Sequence, residues 1–177
     1  MDLPPASLRL MAAAGELGLE LDIHHFPEGT KTAADAAAAI GCPVAAIVKS
    51  LVFVLDHADG SSEPVVVLVP GDRLLDTTRL ADLADATGSR RAALEEVRQA
   101  TGFAAGGTPP FGHQTPVRVF ADLGLRRHDP VWAAAGTPTT VFPISLSDLE
   151  RTSRPRWGEL SGAGAGDRDP GPARPGP

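Results

Sequence analysis

The sequence predicts a single α+β domain built on a mixed β-sheet with helices around it. The chain has 177 residues, of which 42% are hydrophobic and 21% charged, which is enough for one domain with a substantial core. Two long apolar runs, residues 45–56 and 64–70, are typical of mostly buried strands. Strand-like segments then crowd the second half without regular alternation with helices, which favours a mixed sheet over a doubly wound parallel one.

The first part of the chain predicts two helices and a short strand. Residues 7–16 have the composition of a helix, and "LELDIHHF" (residues 19–26) has that of a strand. In "TKTAADAAAAIGCP", a threonine can cap a helix whose body is alanine, and Gly41 suits its C-terminal end. The proline that follows prevents the helix from continuing.

The remaining elements follow from turn residues and apolar patterns. The polar loop "HADGSSE" connects the two long strands. Two helices are predicted next, one over about residues 76–87 and one from about Ser89 to Gly102. The segments "VRVFAD", "VWAAAG" and "TTVFPIS" predict three more short strands, and a last helix begins near Ser147.

Residues 1–155 are expected to form the folded domain. From Ser161 onward, "SGAGAGDRDPGPARPGP" is of low complexity and lacks large apolar side chains that could anchor it. We therefore expect residues 161–177 to be a disordered tail.

Composition and charge disfavour several classes of protein. Met1 is not followed by a basic segment and a long apolar stretch, so neither a signal peptide nor a membrane partner is expected. The single cysteine, Cys42, cannot build a disulfide framework or a multi-cysteine zinc site, which favours the reducing cytoplasm. The net charge of −6 argues against DNA or another nucleic acid being coated by charge alone, but a compact contact with one nucleotide end remains open.

The usual catalytic signatures are missing, including the serine-hydrolase elbow, the zinc-protease helix, the phosphate-binding loop and the dinucleotide fingerprint. The adjacent His24 and His25 would point to opposite faces of a strand, which suits a joint metal site poorly. Cys42 follows a helix-stopping glycine and is interpreted as an ordinary thiol. No metal and no cofactor are therefore expected.

Two features remain as candidates for chemistry. Lys49 interrupts an apolar run, and a buried ammonium is costly unless it is paired, so Lys49 either reaches solvent at the strand's end or lines a pocket together with Ser50. The loop "GGTPPFGH" (residues 106–113) can turn several backbone amides toward a ligand, because glycine admits conformations closed to other residues. The alternative is that this loop only connects a helix to a strand.

Taken in order, the segments "TAADAAAAIG", "IVKSLVFVL", "VVVLVPGDRLLD", "TGFAAGGTPPFGH" and "AAAGTP" resemble the YbaK family of aminoacyl-tRNA editing domains. This family includes free-standing deacylases that clear mischarged proline tRNA and the editing insertion of bacterial prolyl-tRNA synthetases. The resemblance covers roughly residues 17–149, and it is specific because the lysine strand, the glycine-proline loop and the later Ala-Gly-x-Pro turn occur together. It implies a mixed sheet that forms a partly closed barrel with surrounding helices.

The resemblance also implies a set of site residues. Lys49 matches the family's pocket lysine and is expected to be the catalytic residue, through substrate positioning or stabilisation of the oxyanion. Asp122 is a looser match to an acidic residue that follows a strand. The residues expected to bind substrate are the neighbour of the lysine, the glycine-proline loop and a second glycine turn: Ser50, Gly106, Gly107, Thr108, Pro110, Gly112, His113 and Gly136.

The implied activity is hydrolysis, in trans, of the ester of mischarged tRNA, most directly proline tRNA carrying cysteine or alanine. The implied partners are the acceptor end of aminoacyl-tRNA and prolyl-tRNA synthetase. A cysteinyl substrate can attack the ester with its own thiol, and for alanine a group held in the pocket or a hydroxyl of the tRNA activates water, so no protein triad is required. The alternatives are a non-catalytic module that binds an aminoacyl-RNA end or a protein, and a hydrolase of small free esters.

Overall fold

The computed structural model describes residues 2–163, which form a central sheet with helices on both faces. The helices are α1 (Pro5–Glu16), α2 (Ala33–Ile40), α3 (Thr77–Leu83), α4 (Leu94–Thr101) and α5 (Leu146–Ser153). The strands are β1 (His24–His25), β2 (Ile47–Asp56), β3 (Ser62–Pro70), β4 (Arg73–Leu75), β5 (Gly88–Arg91), β6 (Arg118–Asp122), β7 (Val131–Ala134), β8 (Thr140–Ile144), β9 (Arg156–Gly158) and β10 (Ser161–Ala163). None of the described helices is long and apolar enough to cross a membrane.

The main sheet is mixed, as the sequence predicts. Its strands lie in the order β1-β8-β7-β2-β3-β6-β9, and β5 also pairs with β2. The β2–β7, β3–β6 and β6–β9 pairs are parallel, and the other pairs are antiparallel. Within residues 2–163 the sheet is open, because β1 and β9 at its two ends each pair with one strand. The expected partial closure into a barrel is therefore not seen.

Strand β2 shows how the two faces of the sheet are packed, because alternate side chains of a strand point to opposite faces. Val48 and Val52 belong to a core cluster that includes residues of α1, α4 and α5. Phe53 belongs to a second cluster, which includes a residue of α3. Ile47, on the same face as Phe53, packs against α2. The sheet therefore separates α1, α4 and α5 from α2 and α3.

Helix α2 begins and ends where the sequence predicts. Thr32 Oγ1 accepts a hydrogen bond from the Asp35 N–H at 3.0 Å, and the Asp35 carboxylate accepts one from the Thr32 N–H at 3.2 Å. This reciprocal pair is a capping box. Gly41 ends the helix with a φ of +83°, a left-handed conformation that glycine adopts without a steric penalty.

One predicted helix begins later than expected. Residues 88–91, predicted to be helical from Ser89, form β5 and pair with the Phe53–Asp56 end of β2. That edge of β2 would otherwise leave backbone groups unpaired, so strand pairing overrides the local helix-forming composition. Helix α4 starts only at Leu94, where the Glu96 carboxylate accepts a hydrogen bond from the Ala93 N–H at 3.0 Å.

The folded part of the chain extends beyond the predicted boundary at residue 155. Strand β9 adds to β6, and the buried Asp122 carboxylate accepts hydrogen bonds from the N–H groups of Leu160 and Ser161 at 2.8 and 3.0 Å. Residues 161–163, predicted to be disordered, form β10 and pair with β4. That part of the tail prediction is wrong, and the rest of the predicted tail lies outside the described residues.

Candidate active site

Strand β2 has a gap along one of its edges. One edge pairs with β3 along nearly its whole length, whereas the other pairs with β7 only at residues 47–48 and with β5 only from Phe53 onward. Backbone direction alternates along a strand, and the bond from the Ala92 N–H to the Val52 C=O shows which residues point to the second edge. The N–H and C=O groups of Ser50 therefore point to that edge. They lie outside both ladders and face an opening in the sheet.

A cavity of about 420 Å³ occupies this opening and is lined from both faces of the sheet. We call the lining on the face that carries α2 the α2-side half, which includes Ala33, Ala36, Ile47, Lys49, Leu51 and Trp132. We call the lining on the opposite face the α1-side half, which includes Val48, Ser50, Val52, Ala92, Val97, Ala105 and Ala133. The first half contains a cation and an indole ring, and the second contains mostly small apolar side chains.

The lysine that interrupts the apolar run lines this cavity. Its ammonium donates a hydrogen bond to the backbone carbonyl of Arg73 in β4, with 2.5 Å between Nζ and O. Lys49 stands where two core clusters meet, since Ile47 belongs to one and Phe53 to the other. A boundary between clusters is where a sheet face can open to a pocket. Of the two interpretations that the sequence allows, the position of Lys49 matches the pocket.

The charged side chains among the described lining residues of the cavity are all basic. Lys31 and Arg91 line it together with Lys49, whereas none of the described lining residues is acidic. Lys31 and Lys49 are also the only two lysines of the chain. In a protein with a net charge of −6, this arrangement concentrates positive potential in one place, which attracts an anionic ligand.

The glycine-proline loop reaches the same cavity through Gly106 and Thr108. Gly106 has a φ of +82°, in the left-handed region that other residues rarely adopt. Gly107 packs directly on the turn at residues 136–137, because a Cβ at this position would lie 2.6 Å from Thr137 Cα and 2.8 Å from Gly136 O. The loop therefore depends on glycine for both its conformation and its close approach to the turn.

Helix α1 supports the turn on which this loop packs. Ser7 is fully buried, and its Oγ donates a hydrogen bond to the Ala135 carbonyl at 2.6 Å. Gly136, with a φ of +99°, lies so close to α1 that a Cβ would be 2.8 Å from the carbonyl carbon of Ala6. The start of α1, the turn and the loop are therefore stacked in contact, one on the next.

A chain of hydroxyl groups links α1 to the cavity wall. Ser7 Oγ lies 3.2 Å from Thr140 Oγ1, which in turn lies 2.8 Å from Thr137 Oγ1. Both threonines line the cavity. Thr30 Oγ1 donates to the Pro138 carbonyl at 2.5 Å, which joins the segment before α2 to the same turn. These hydrogen bonds hold three segments of the cavity wall in a fixed relation.

The structure separates the nine predicted site residues, Lys49 among them, into three groups. Four predicted site residues line the cavity: Lys49, Ser50, Gly106 and Thr108. Two do not line it but carry the packing of the loop on the turn and of the turn on α1: Gly107 and Gly136. The remaining three lie farther along the loop and do not line the cavity: Pro110, Gly112 and His113. The looser candidate, Asp122, anchors the chain before β10.

The residues farther along the loop contact the protein itself. Gly112, with a φ of +77°, lies against α1, since a Cβ would be 3.2 Å from Leu10 Cδ1. His113 Nε2 lies 2.8 Å from the Pro109 carbonyl oxygen. Burial lowers the pKa of His113 below its ordinary value, and the hydrogen bond to Pro109 partly opposes this shift. Pro110 is buried.

Sequence reasoning missed several lining residues. Arg91 lies in the segment predicted to be helical, so its place on a strand beside β2 could not be inferred. A compositional signal existed for two others, since Lys31 is one of only two lysines and Trp132 one of only two tryptophans. For Thr137 and Thr140 the signal was the run "GTPTT", which is rich in hydroxyl groups and follows a strand.

The other candidates for chemistry lie elsewhere. Among residues 2–163, no three His, Cys, Asp or Glu side chains come together to hold a metal ion. Cys42 packs against the cluster under α2, and burial raises the pKa of its thiol. His24 Nε2 lies 2.9 Å from a carboxylate oxygen of Asp22, and its ring contacts the Trp132 ring. Neither Cys42 nor His24 lines the cavity.

The fold is an open mixed sheet, and the candidate site is a cavity at a gap in that sheet. Basic side chains line the cavity, and a glycine loop lies at its rim. The family model for the aminoacyl-tRNA editing domain matches residues 27–152. The chain belongs to the aminoacyl-tRNA editing domain family, as the sequence predicts. Helix α1 lies before the matched range.

Particular relatives agree with this assignment. A crystal structure of a proposed trans-editing enzyme for prolyl-tRNA synthetase has a TM-score of 0.83 and 37% identity, over 91% of this chain and 99% of that one. The proline–tRNA ligase of Nitratidesulfovibrio vulgaris is 40% identical over 98 residues, which are 55% of this chain but 16% of the ligase. The uncharacterised protein YwhH of Bacillus subtilis is 28% identical over 135 residues, 76% of this chain and 82% of that protein. The chain thus spans a small part of the ligase and most of YwhH.

Proposed function

We propose that this chain is an aminoacyl-tRNA deacylase that acts in trans on mischarged tRNA, most directly on proline tRNA carrying cysteine or alanine. One observation carries this proposal: Lys49, the Ser50 peptide and the Gly106–Thr108 segment surround one cavity at a gap in the sheet. The similarity to a proposed trans-editing enzyme and to part of a proline–tRNA ligase supports the choice of tRNA.

The cavity suits the end of an aminoacyl-tRNA in both size and charge. Its volume of about 420 Å³ is in the range of small-ligand sites, which suits a terminal nucleoside bearing a small esterified residue. The phosphate of that nucleoside is anionic, and Lys31, Lys49 and Arg91 supply cations at the cavity. The net charge of −6 disfavours wide contact with the rest of the RNA. The footprint is therefore the acceptor end.

Ester hydrolysis requires stabilisation of the charge that develops on the carbonyl oxygen. A nucleophile adds to the carbonyl carbon, and collapse of the tetrahedral intermediate breaks the bond to the ribose oxygen, which takes up a proton. The Ser50 N–H points into the gap, and the Lys49 ammonium lines the cavity beside it. Each fixed donor at such an oxygen is worth about 3 kcal/mol in known acyl-transfer sites. The strand holds the Ser50 peptide and the Arg73 carbonyl holds the Lys49 ammonium, so little reorganisation is needed.

The nucleophile is activated by the substrate in this proposal. None of the described residues that line the cavity is a histidine, a carboxylate or a thiol. A cysteinyl residue supplies its own thiol, and for an alanyl residue a hydroxyl of the terminal ribose orients water. The protein then contributes orientation and electrostatics, which can account for several kcal/mol of the barrier.

Deacylation of a panel of charged tRNAs tests the proposal. The purified chain is incubated with proline tRNA carrying alanine, cysteine or proline and with correctly charged alanine and cysteine tRNAs. We expect release of alanine or cysteine from proline tRNA and no release of proline. Prolyl-tRNA synthetase, the partner that the relatives suggest, is added in a parallel series at near-neutral pH under reducing conditions. We expect it to raise the rate of deacylation. No hydrolysis of any charged tRNA would contradict the proposal.

The absence of a histidine, a carboxylate and a thiol from the described lining residues also favours one alternative, a module that binds an aminoacyl-RNA end or a protein partner without hydrolysis. A non-hydrolysable aminoacyl-adenosine analogue distinguishes the two. Tight binding of the analogue with no turnover of any charged tRNA would establish the binding module. Binding accompanied by turnover would establish the deacylase.

A further inference from the structure

The two halves of the cavity differ in chemistry, and this difference assigns an orientation to the ligand. The α1-side half is walled by small apolar side chains: Val48, Val52, Ala92, Val97, Ala105 and Ala133. The α2-side half contains Lys49 and a large aromatic ring, Trp132. A nucleotide carries a flat base and a phosphate, whereas a small amino acid carries a short side chain. The nucleotide therefore fits the α2-side half, and the aminoacyl group fits the other.

Trp132 is the sole aromatic side chain among the described lining residues. It pairs with Ile47 in the β2–β7 ladder and packs in the same cluster, so its ring is on the face of the sheet that carries Lys49. The ring meets His24 edge to face, with 5.2 Å between centroids and 78° between planes. This contact supports one edge of the indole ring. Trp132 and the two lysines line one cavity, and an aromatic ring together with positive charge is the combination by which proteins bind single-stranded nucleic acid.

We propose that the terminal base of the RNA stacks on Trp132, while the phosphate of the same nucleotide is bound by Lys31 and the Lys49 ammonium stays at the ester. The ester then lies in the gap at the Ser50 peptide, and the aminoacyl side chain enters the α1-side half. This inference rests on the proposed function, since it orients the substrate of that same site. Trp132 is a substrate-binding residue in this arrangement and takes no part in bond making.

The two tryptophans of the chain make a direct test possible. Trp157 lies outside the cavity, where the Arg126 guanidinium stacks on its ring at 4.4 Å. The Trp157→Phe variant therefore leaves Trp132 as the only tryptophan. We expect adenosine 5′-monophosphate to quench its fluorescence in a saturable way, and ribose 5-phosphate, which has the phosphate but no base, to cause no quenching. Unchanged fluorescence at concentrations of the mononucleotide that inhibit deacylation would overturn the inference.

Kinetics on charged tRNA separate this inference from the proposed function. Stacking of one base on an aromatic ring corresponds to about 5- to 150-fold in affinity. We therefore expect Trp132→Leu to raise KM by such a factor with little change in kcat, and Trp132→Phe to restore most of the affinity. An unchanged KM in Trp132→Leu would mean that the ring only packs on α2, although deacylation itself would stand. No deacylation by the unaltered chain would contradict the proposed function instead, and mononucleotide quenching would still decide whether Trp132 binds a base.

Discussion

The Lys49 ammonium donates a hydrogen bond to the backbone carbonyl of Arg73, with 2.5 Å between Nζ and O. This bond ties the middle of the main sheet to the β4–β10 ribbon, because Arg73 is the first residue of β4 and pairs with Ala163. A lysine side chain has four rotatable carbons and is normally mobile. The contact with Arg73 therefore fixes an otherwise flexible cation beside the gap in the sheet.

Gly107→Ala is expected to lower kcat/KM for deacylation by about 10- to 100-fold, because a misplacement of about 1 Å at a reacting group has effects of this size. The new Cβ would lie 2.6 Å from Thr137 Cα, and backbone must move to relieve that contact. Gly88→Ala is the matched control, since nothing lies within 4 Å of a Cβ there. Equal rates for the two variants would show that the loop does not position the substrate.

Ser7→Ala is expected to lower the free energy of unfolding by about 1–3 kcal/mol, because the change leaves the buried Ala135 carbonyl without its side-chain donor. Denaturant-induced unfolding measures this loss. Ser61→Ala serves as the control, because Ser61 is exposed and its hydroxyl bonds only to Asp59 in a surface turn. A loss no larger than that of the control would contradict the role of α1 in supporting the turn.

Gly15→Ala and Gly18→Ala are expected to have opposite effects on stability. A Cβ would meet nothing within 4 Å at either position, so the difference depends on backbone conformation alone. Gly15 is inside α1, where alanine is better by about 0.5–1 kcal/mol. Gly18 has a φ of +70°, where a Cβ costs about 1–2 kcal/mol. Thermal unfolding of both variants gives the comparison, and effects of the same sign would be inconsistent with the described end of α1.

His113 is expected to make stability fall as the pH decreases below about 6.5. Burial lowers its pKa in the folded chain, so the unfolded chain binds more protons once the pH drops below the ordinary histidine value. Stability then decreases until the pH passes below the folded-state pKa, with a slope of at most about 1.4 kcal/mol per pH unit.

The His113→Gln variant isolates this effect, because an amide can donate to the Pro109 carbonyl but does not titrate in this range. Free energies of unfolding are measured from about pH 7.5 to about pH 5.5, the range in which histidine ordinarily titrates. Their dependence on pH should be shallower in the variant. Identical slopes would assign the pH dependence to other groups.

Much of the fold could be predicted from local sequence. The long runs of β2 and β3 are apolar because both faces of these central strands are covered, and α2 carries its own start and stop residues. Strand β5 could not be predicted, because its backbone pairs with the free edge of β2 and this long-range pairing leaves no local pattern. The same is true of β10, whose short polar segment is held by the buried Asp122 carboxylate.

The position of a residue at the cavity or its rim could be predicted where that residue is chemically out of place. Lys49 stands out in an apolar strand, and Gly106 and Gly107 stand out in a dense glycine-proline loop. Arg91 was not predictable, because its position depends on the pairing of β5 with β2 and on the gap that β5 and β7 leave along that edge. The gap exists because β7 pairs with β2 only at residues 47–48 and β5 pairs with it only from Phe53 onward. No short segment of sequence encodes where these pairings end.

The most direct measurement is the single-turnover rate of deacylation of proline tRNA that carries alanine or cysteine. The rate is compared for the unaltered chain, Lys49→Ala and Lys31→Ala. Loss of one fixed electrostatic donor corresponds to about 100-fold or more in rate, so Lys49→Ala should lose at least this much while remaining folded. Lys31→Ala removes the only other lysine, which is exposed and precedes α2, and should cause a smaller, salt-dependent loss. An unchanged rate in Lys49→Ala would contradict the assignment of the cavity as the catalytic site.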